Sequence, residues 1–391
     1  MHSIRRGCSA ALKTTSRPAY ALNCPHRAFS QCSPLRKGSL PSFLEPSSED
    51  LGAALAKLNS KVLLPAQLSP DQRKLVFRPS NTARLEAESV EITLGDVTLP
   101  LEHINQRTDT PSRWGTIKTI VDSSETPEDW ENVLRMLEGF EDASLHLSPA
   151  RKCMIIRSLN NAGMQHLVLK ALQRADKTGL RLRDEEIVLR VFTGFHEKAL
   201  DAEWGAAETK KALGYAEQVI DLMEEKTHLG GKPVGPGDLR SNPVVIGALL
   251  ELAAVRAKKH TEGKDVDGKV KKYAHRIMSA HTQDPSIMET HLSRARASIA
   301  LNKFKSNHVK ASTLNALKSE IISLIPLYIG IKTASQVLGA DMPLAREAQT
   351  LAKTLLDTFT DAEKKLLGEE KKGFVITLDQ FTSELKAARE V

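Results

Sequence analysis

The chain has 391 residues, which is enough for one large domain or two ordinary domains with a hydrophobic core. Its formal charge is +7, but the segment before Glu45 holds seven basic residues and no acidic one, whereas residues 45–391 hold 48 of each. The net positive charge of the chain therefore says little about residues 45–391, and an argument for nucleic-acid binding must rest on local charge. Four cysteines without a CxxC pair give no framework of disulfide bonds.

Residues 1–29 have the composition of a mitochondrial import presequence. The segment is basic, rich in serine and threonine and free of acidic residues, and it can form an amphipathic helix. The tetrapeptide Arg27-Ala28-Phe29-Ser30 resembles a matrix-peptidase cleavage site and predicts cleavage after Phe29. A disordered basic tail is the alternative interpretation. We expect the mature protein to be located in the mitochondrial matrix.

The only β structure is predicted in an N-terminal segment at residues 48–110, after a Ser/Pro-rich linker at residues 30–47. Apolar and polar residues alternate on both sides of the pair Gly95-Asp96, a pattern typical of a β-hairpin. Two helices are predicted before the hairpin, at about 49–58 and from Ser69-Pro70.

Helices dominate after Pro111, in a helical-hairpin domain at residues 111–230 and a second helical domain at residues 243–391. A Gly/Pro-rich loop from Leu229 to Asn242 separates the two domains. Serine, threonine or aspartate caps mark several helix starts. The predicted helices begin at Thr126, Ser148 and Asp184, or lie at about 164–177, 206–226, 243–259, 268–282, 285–301, 311–336, 342–358, 360–367 and 377–389.

This alternation of short helices and tight turns predicts a mostly α fold, an irregular helical-hairpin array or bundle with one small N-terminal β-hairpin. Within Leu167–Leu200, one helix is followed by a turn at residues 177–180 and by a second helix from Asp184. A comparable helix recurs at Ala216–Glu225. These helix pairs resemble pentatricopeptide-type units, although no code of one base per repeat can be read from them.

Catalytic and cofactor-binding motifs do not occur in the sequence. It contains no phosphate-binding loop, dinucleotide fingerprint, nucleophile elbow or HExxH zinc motif. His166 and His196 lie near apolar stripes and are predicted to be core histidines with satisfied hydrogen bonds. We therefore predict no enzyme, no cofactor, no metal site and no small-molecule substrate. Five further histidines crowd one region without the spacing of zinc ligands, namely His260, His275, His281, His291 and His308.

The longest apolar run is Ile321–Ile331, which contains Pro326 and is followed directly by Lys332. A helix needs about 20 residues to span the hydrocarbon core of a bilayer, and this run is much shorter. No membrane span is therefore predicted.

Residues 253–318 form a basic sector with 14 basic and five acidic residues. The rest of the chain from Glu45 onward must then carry a matching acidic surplus. A basic helical sector is typical of proteins that bind a phosphate backbone without reading its sequence. For the loop at residues 261–272 alone, a solvated turn is the alternative. The predicted RNA-contact residues are Lys258, Lys259, Lys269, Lys271, Lys272, Arg276, Arg294, Arg296, Lys303 and Lys305.

The order of these features is similar to that of fungal-type mitochondrial ribosomal accessory proteins: presequence, linker, small β element, helical body and basic sector. The resemblance implies a structural component of the mitochondrial ribosome, expected in the large subunit, with mitochondrial rRNA and ribosomal proteins as partners. An alternative is a helical-repeat RNA-binding factor for mitochondrial transcripts or ribosome assembly, which would contain several repeats of constant length. A second alternative is an enzyme or enzyme-complex subunit with a helical fold, which would place polar residues that are scattered in the sequence together in a pocket.

Overall fold

The computed structural model describes residues 38–87, 90–235, 237–371, 373–375 and 377–390. The predicted presequence and its cleavage residues Arg27, Phe29 and Ser30 lie outside these residues. The N-terminal helices are α1 (Glu49–Leu58), α2 (Leu64–Gln67), α3 (Pro70–Phe77) and α4 (Thr82–Ala87), with a π-helical turn at Asn59–Leu63 that joins the first two. The predicted start at Ser69 is confirmed, because Ser69 and Gln72 form a reciprocal capping box.

The predicted β-hairpin is present as β1 (Glu91–Leu94) and β2 (Val97–Pro100), which pair in antiparallel fashion. Ile92 faces Leu99 across the pair, so the alternating apolar residues do line one face. Gly95 adopts φ 66° in the turn, a left-handed conformation that glycine adopts without steric strain.

Helices make up most of the chain after the hairpin, which confirms the mostly α fold class. At the start of α6, Thr126 and Asp129 form a capping box around Pro127. The helices are α5 (Arg113–Asp122), α6 (Pro127–Asp142), α7 (Pro149–Asn161), α8 (Gln165–Gln173), α9 (Ala175–Thr178), α10 (Glu185–Asp201), α11 (Ala206–Met223), α12 (Pro243–His260), α13 (Lys269–Gln283), α14 (Ser286–Ala300), α15 (Asn307–Leu338), α16 (Ala345–Lys371) and α17 (Asp379–Glu390).

Two of the predicted boundaries are wrong. The helices predicted at 342–358 and 360–367 are one continuous helix, α16. The helix predicted at 164–177 is divided at Arg174, whose φ of −111° and ψ of 38° end α8 before α9 begins. A locally polar stretch of sequence does not decide where a helix ends, because tertiary packing of the buried face can stabilise the helix across that stretch.

The centre of the fold is the crossing of α12 and α15. Every residue of α12 from Pro243 to Val255 is buried, as expected for a helix that is apolar on most sides. Gly247 of α12 faces Leu327, and Gly330 of α15 faces the backbone of Glu251, so the two helices approach closely. Helices α10, α11 and α13 pack around α12, whereas α14, α16 and α17 pack against α15. Residues 38–391 form one compact unit. The division into domains at residues 48–110, 111–230 and 243–391 stays a prediction.

One described helix, α15 with the turn to Asp341, is long and apolar enough to cross a membrane by length and composition alone. Most of its apolar window, 72%, is buried inside the fold. Neighbouring helices, mainly α12 and α16, cover the apolar surface of α15, as in the core helix of a globular domain.

Candidate nucleic-acid interface

The ten predicted RNA-contact residues lie on three helices and one loop of the C-terminal half. They are placed at the end of α12 (Lys258, Lys259), on α13 (Lys269, Lys271, Lys272, Arg276), on α14 (Arg294, Arg296) and in the loop Leu301–Ser306 (Lys303, Lys305).

Acidic residues neutralise part of the α13 group. The Lys269 ammonium lies 2.6 Å from the Glu217 carboxylate of α11, and Lys271 lies 3.1 Å from Asp341. Lys272 is exposed and lies over the ring of Tyr273 at 5.6 Å. Two of the four basic residues on α13 therefore already have an ion-pair partner within the chain.

Arginines on α13 and α14 also have internal partners. Arg276 donates a hydrogen bond to the Arg240 carbonyl at 2.7 Å. Arg294 lies 3.4 Å from Glu185 of α10, and Arg296 lies 3.3 Å from Glu289. Both ion pairs are exposed, and such pairs are worth at most about 1 kcal/mol, so these arginines stay accessible to another anion.

Lys303 and Lys305 share one loop and, like Lys272 of α13, form no ion pair with another described residue. Both are exposed, and neither has a hydrogen bond or an ion pair within the described part of the chain. Their loop is nevertheless held in place, because the Lys365 ammonium donates to the Leu301 carbonyl at 2.7 Å and to Asn302 Oδ1 at 2.8 Å. These two lysines are free positive charges on an ordered loop.

The packing below this loop combines a lysine with aromatic rings. The Lys310 ammonium lies 4.4 Å from the ring centre of Phe374 and 5.9 Å from that of Phe304. Its charge is neutralised by Glu369 at 2.5 Å. The aromatic contact holds Phe304 against the body, so the two lysines on either side of it point away from the core.

The ten residues do not form one continuous patch. Lys271 is paired with Asp341 just beyond the C-terminal end of α15, whereas Lys303 and Lys305 precede the first residue of this helix. Since α15 has 32 residues, its two ends are about 48 Å apart. The basic sector therefore provides at least two separate surfaces.

A further basic cluster was missed by the sequence analysis. Arg157 of α7, Arg190 of α10 and Lys318 of α15 lie near one another, where α10 packs against both α7 and α15. Lys318 belongs to the basic sector, but the two arginines come from the other half of the chain. Only the tertiary fold brings the three together, so no window of the sequence could have shown them.

The two histidines predicted to lie in the core have different positions. His196 is fully buried, which confirms its predicted place in the core, and its Nδ1 lies 2.9 Å from both carboxylate oxygens of Glu251. Its hydrogen bonds are only partly satisfied, because Nε2 has no partner among the described residues. Burial alone would lower the pKa of His196, but the Glu251 carboxylate outweighs it and raises this pKa. His166 is exposed, so its prediction is wrong. Among the described residues, no group of three or more potential ligands could hold a metal ion.

The family is decided by comparison with known proteins. The sequence profile of a family described as mitochondrial ribosomal protein mS27 matches residues 27–378, which is most of the chain. The chain belongs to this family. This membership confirms the mitochondrial matrix localisation and the resemblance to fungal-type mitochondrial ribosomal proteins.

A curated relative carries the same family name. The small ribosomal subunit protein mS27 of Neurospora crassa is 29% identical over 225 residues, which cover 57% of this chain and 56% of the relative. The match thus spans about half the length of that protein. The expectation of the large subunit is wrong, because the relative is named as a small-subunit protein and the family as mS27.

Proposed function

We propose that this chain is a structural, non-catalytic component of the small subunit of the mitochondrial ribosome, with rRNA and neighbouring ribosomal proteins as its partners. The match of residues 27–378 to the mS27 family carries this proposal, and the small-subunit name of the relative supports it. The buried centre of α12 and α15 provides a rigid body on which basic surface residues can be displayed.

Of the ten predicted RNA-contact residues, the two on the loop Leu301–Ser306 are the best placed to contact the rRNA backbone. Lys303 and Lys305 are exposed and have no ion-pair partner among the described residues, whereas Lys269, Lys271, Arg294 and Arg296 form ion pairs. The loop also precedes the N-terminus of α15, where the helix dipole adds positive potential. A phosphate group would therefore meet several positive charges without breaking an existing ion pair.

Sedimentation of mitochondrial ribosomes tests the assignment to a subunit. We expect the chain to co-migrate stoichiometrically with the small subunit on a sucrose gradient, and to stay with it at high salt. Migration with the large subunit or as a free protein would contradict the proposal. A substoichiometric association that is lost at high salt would instead indicate an assembly factor.

A charge-reversed loop tests the RNA contact. The double variant Lys303→Glu/Lys305→Glu should weaken binding of the purified chain to a small-subunit rRNA transcript and reduce the slope of log affinity against log salt by about 1–2. The matched control is Lys118→Glu/Lys210→Glu, which reverses two exposed lysines on α5 and α11 that also lack internal partners. Equal effects of the two double variants would show that the loop has no special role.

A further inference from the structure

The cluster of Arg157, Arg190 and Lys318 is built on a close contact between α7 and α10. The Asn160 side chain of α7 donates a hydrogen bond to the Arg190 carbonyl of α10 at 3.2 Å. Arg157 lies three residues before Asn160, so both side chains are on the same face of α7. The exposed Arg157 side chain is thereby placed beside the partly buried Arg190.

Helix α15 completes the cluster from the other side. Arg190 Nη2 donates to the Ser319 hydroxyl at 3.4 Å, and the neighbouring Lys318 Nζ donates to the Thr377 carbonyl at 2.9 Å. Both acceptors are neutral, so they orient the two cations without cancelling their charge. Arg157 has no partner within the described residues and completes the surface as a free guanidinium.

Acidic residues near the cluster do not pair with it. Glu186 lies one turn before Arg190 on α10. Glu197 interacts electrostatically with Arg190, and Glu384 interacts electrostatically with Lys318, both without a direct contact. Within the part of the chain that the structure describes, no carboxylate forms a salt bridge with Arg157, Arg190 or Lys318. This differs from α13 and α14, where carboxylates lie within 3.4 Å of several bases.

The cluster therefore contains repulsion between like charges, which the nearby Glu384 carboxylate offsets only in part. Burial lowers the pKa of Lys318, and the nearby Arg157 and Arg190 lower it further. An anion placed among the three groups would remove this repulsion and favour the charged form of the lysine. Charged groups held together without a counter-ion are a common property of binding sites.

A phosphate group fits this arrangement. A guanidinium presents a planar fork of donors to phosphate oxygens, and an ammonium adds a compact point charge. We propose that Arg157, Arg190 and Lys318 form a second phosphate-binding surface for the RNA backbone, distinct from the loop Leu301–Ser306. This inference rests on the proposed function, because a ribosomal protein of this family has RNA within its reach. It also assigns a role to the α7–α10 half of the molecule, which lies outside the basic sector.

Charge reversal at Arg157 tests the proposal with little risk to folding, since this side chain is exposed and makes no hydrogen bond to a described residue. For the full chain and a transcript of the mitochondrial small-subunit rRNA, Arg157→Glu should weaken binding and reduce the slope of log affinity against log salt by about 1. Arg157→Gln should give about half of this effect, because it removes one charge instead of reversing it. Lys210→Glu is the matched control, and circular dichroism verifies that each variant is folded.

The outcomes separate this inference from the proposed function. If Arg157→Glu binds the transcript as tightly as Lys210→Glu while the chain still sediments with the small subunit, the second surface is refuted and the ribosomal role stands. If Arg157→Glu loses its place in the subunit but keeps its RNA affinity, the surface binds an acidic protein segment instead, which also refutes the proposal. A wild-type chain without any affinity for the transcript would refute it as well.

Discussion

Glu384 of α17 is an acidic side chain in an unusual position. It is only 2% exposed, and its Oε1 accepts a hydrogen bond from Gln380 at 2.8 Å, while Oε2 has no partner among the described residues. Burial raises the pKa of Glu384 to about 7; the nearby His196 opposes this shift and Glu197 reinforces it. The folded state thus holds a proton that the unfolded chain releases near pH 4.5.

Replacing Glu384 with glutamine should stabilise the protein at about pH 8. Because the folded pKa is raised, the contribution of Glu384 to stability is fully present below pH 4.5 and is lost as the pH rises through about 7. Glutamine cannot ionise, so the variant avoids this loss and should gain about 3 kcal/mol in the free energy of unfolding. Urea unfolding at several pH values measures the gain, which should vanish towards pH 4.5.

The control for this measurement is Glu370→Gln, which changes an exposed carboxylate on α16. Its stability should follow that of the wild type at every pH. A Glu384→Gln variant that is less stable than wild type at about pH 8 would show that the ionised carboxylate makes a favourable contact in the fold.

Glu251 has the opposite role, because it is the counter-ion of the buried His196. Both side chains are fully buried, and removing one partner of such a pair costs about 3–5 kcal/mol. Glu251→Gln should therefore destabilise the protein. The raised pKa of His196 adds stability that is present below pH 6.5 and lost at higher pH.

The pH dependence identifies the cause of this loss. In Glu251→Gln the buried imidazole has no counter-ion, so its pKa should fall and stability should decrease as the pH is lowered below 6.5. Thermal unfolding between about pH 5 and pH 8 measures this, and a uniform loss at all pH values would contradict a protonated His196 in the wild type. Glu370→Gln again is the control.

At this scale the sequence predicted some environments and missed others. His196 and His166 both follow apolar stripes, but His166 is the second residue of α8, between the buried Gln165 and Leu167. Its side chain therefore points outward. The partner of His196 is 55 residues away, on a helix whose neighbours only the tertiary fold defines.

Among the helices, the close crossing of α12 and α15 depends on two glycines. A Cβ atom at Gly330 would lie 2.9 Å from the Glu251 backbone nitrogen and 3.1 Å from the Gly247 carbonyl oxygen. These are backbone atoms of a buried helix, so they cannot move aside as a flexible side chain would. The same crossing holds Glu251 beneath His196, which links the packing of the two helices to the buried ion pair.

Gly330→Ala should destabilise the protein by about 1–3 kcal/mol, because an added methyl group forces the two helices apart. The matched control is Gly214→Ala on α11, where a Cβ would meet no described atom within 4 Å apart from its chain neighbours and the backbone of its own helix. That change should stabilise the protein by about 0.5–1 kcal/mol, since alanine favours the helix. Denaturant unfolding of the two variants measures the difference, and equal stabilities would show that the helices can separate without cost.

Helix positions were predicted well wherever a cap marks the start, as at Ser69 and Thr126. The break predicted near residue 359 is absent because Thr358 and Thr360 bond to carbonyls of the preceding turn instead of capping a new helix. Phe359 is buried between these two threonines and holds the chain in the continuous α16. Tertiary packing thus outweighed a local polar signal.

For the whole molecule, the surplus of positive charge in residues 253–318 could be counted from the sequence, but its arrangement on the surface could not. Folding pairs Lys269 and Lys271 with acids from α11 and from the turn after α15, whereas Lys272, Lys303 and Lys305 form no ion pair with a described residue. It also assembles Arg157 and Arg190 with Lys318. A sum over a sequence window cannot distinguish paired from free charges, and it cannot bring distant helices together.

The predicted presequence leads to a test that involves the whole chain. Residues 1–29 hold five basic and no acidic residues, whereas the compact unit starts at Gly38 and has its own core from Leu40 onward. A chain of residues 30–391 should therefore unfold within about 1 °C of the full chain, because an effect of 1 kcal/mol on a fold of this size would shift Tm by about 1 °C. A larger drop would mean that residues 1–29 belong to the fold, contrary to a cleaved presequence.

The same pair of chains should differ in non-specific RNA binding. Removing five positive charges should reduce the slope of log affinity against log salt by as much as about 3, because each lost phosphate contact lowers it by about 0.7 for a single strand. The shorter chain should keep the part of the affinity that Lys303→Glu/Lys305→Glu removes, since that loop belongs to the folded body. If the double variant has no effect once residues 1–29 are absent, RNA affinity in the full chain comes from its basic N-terminus, and the loop does not bind RNA.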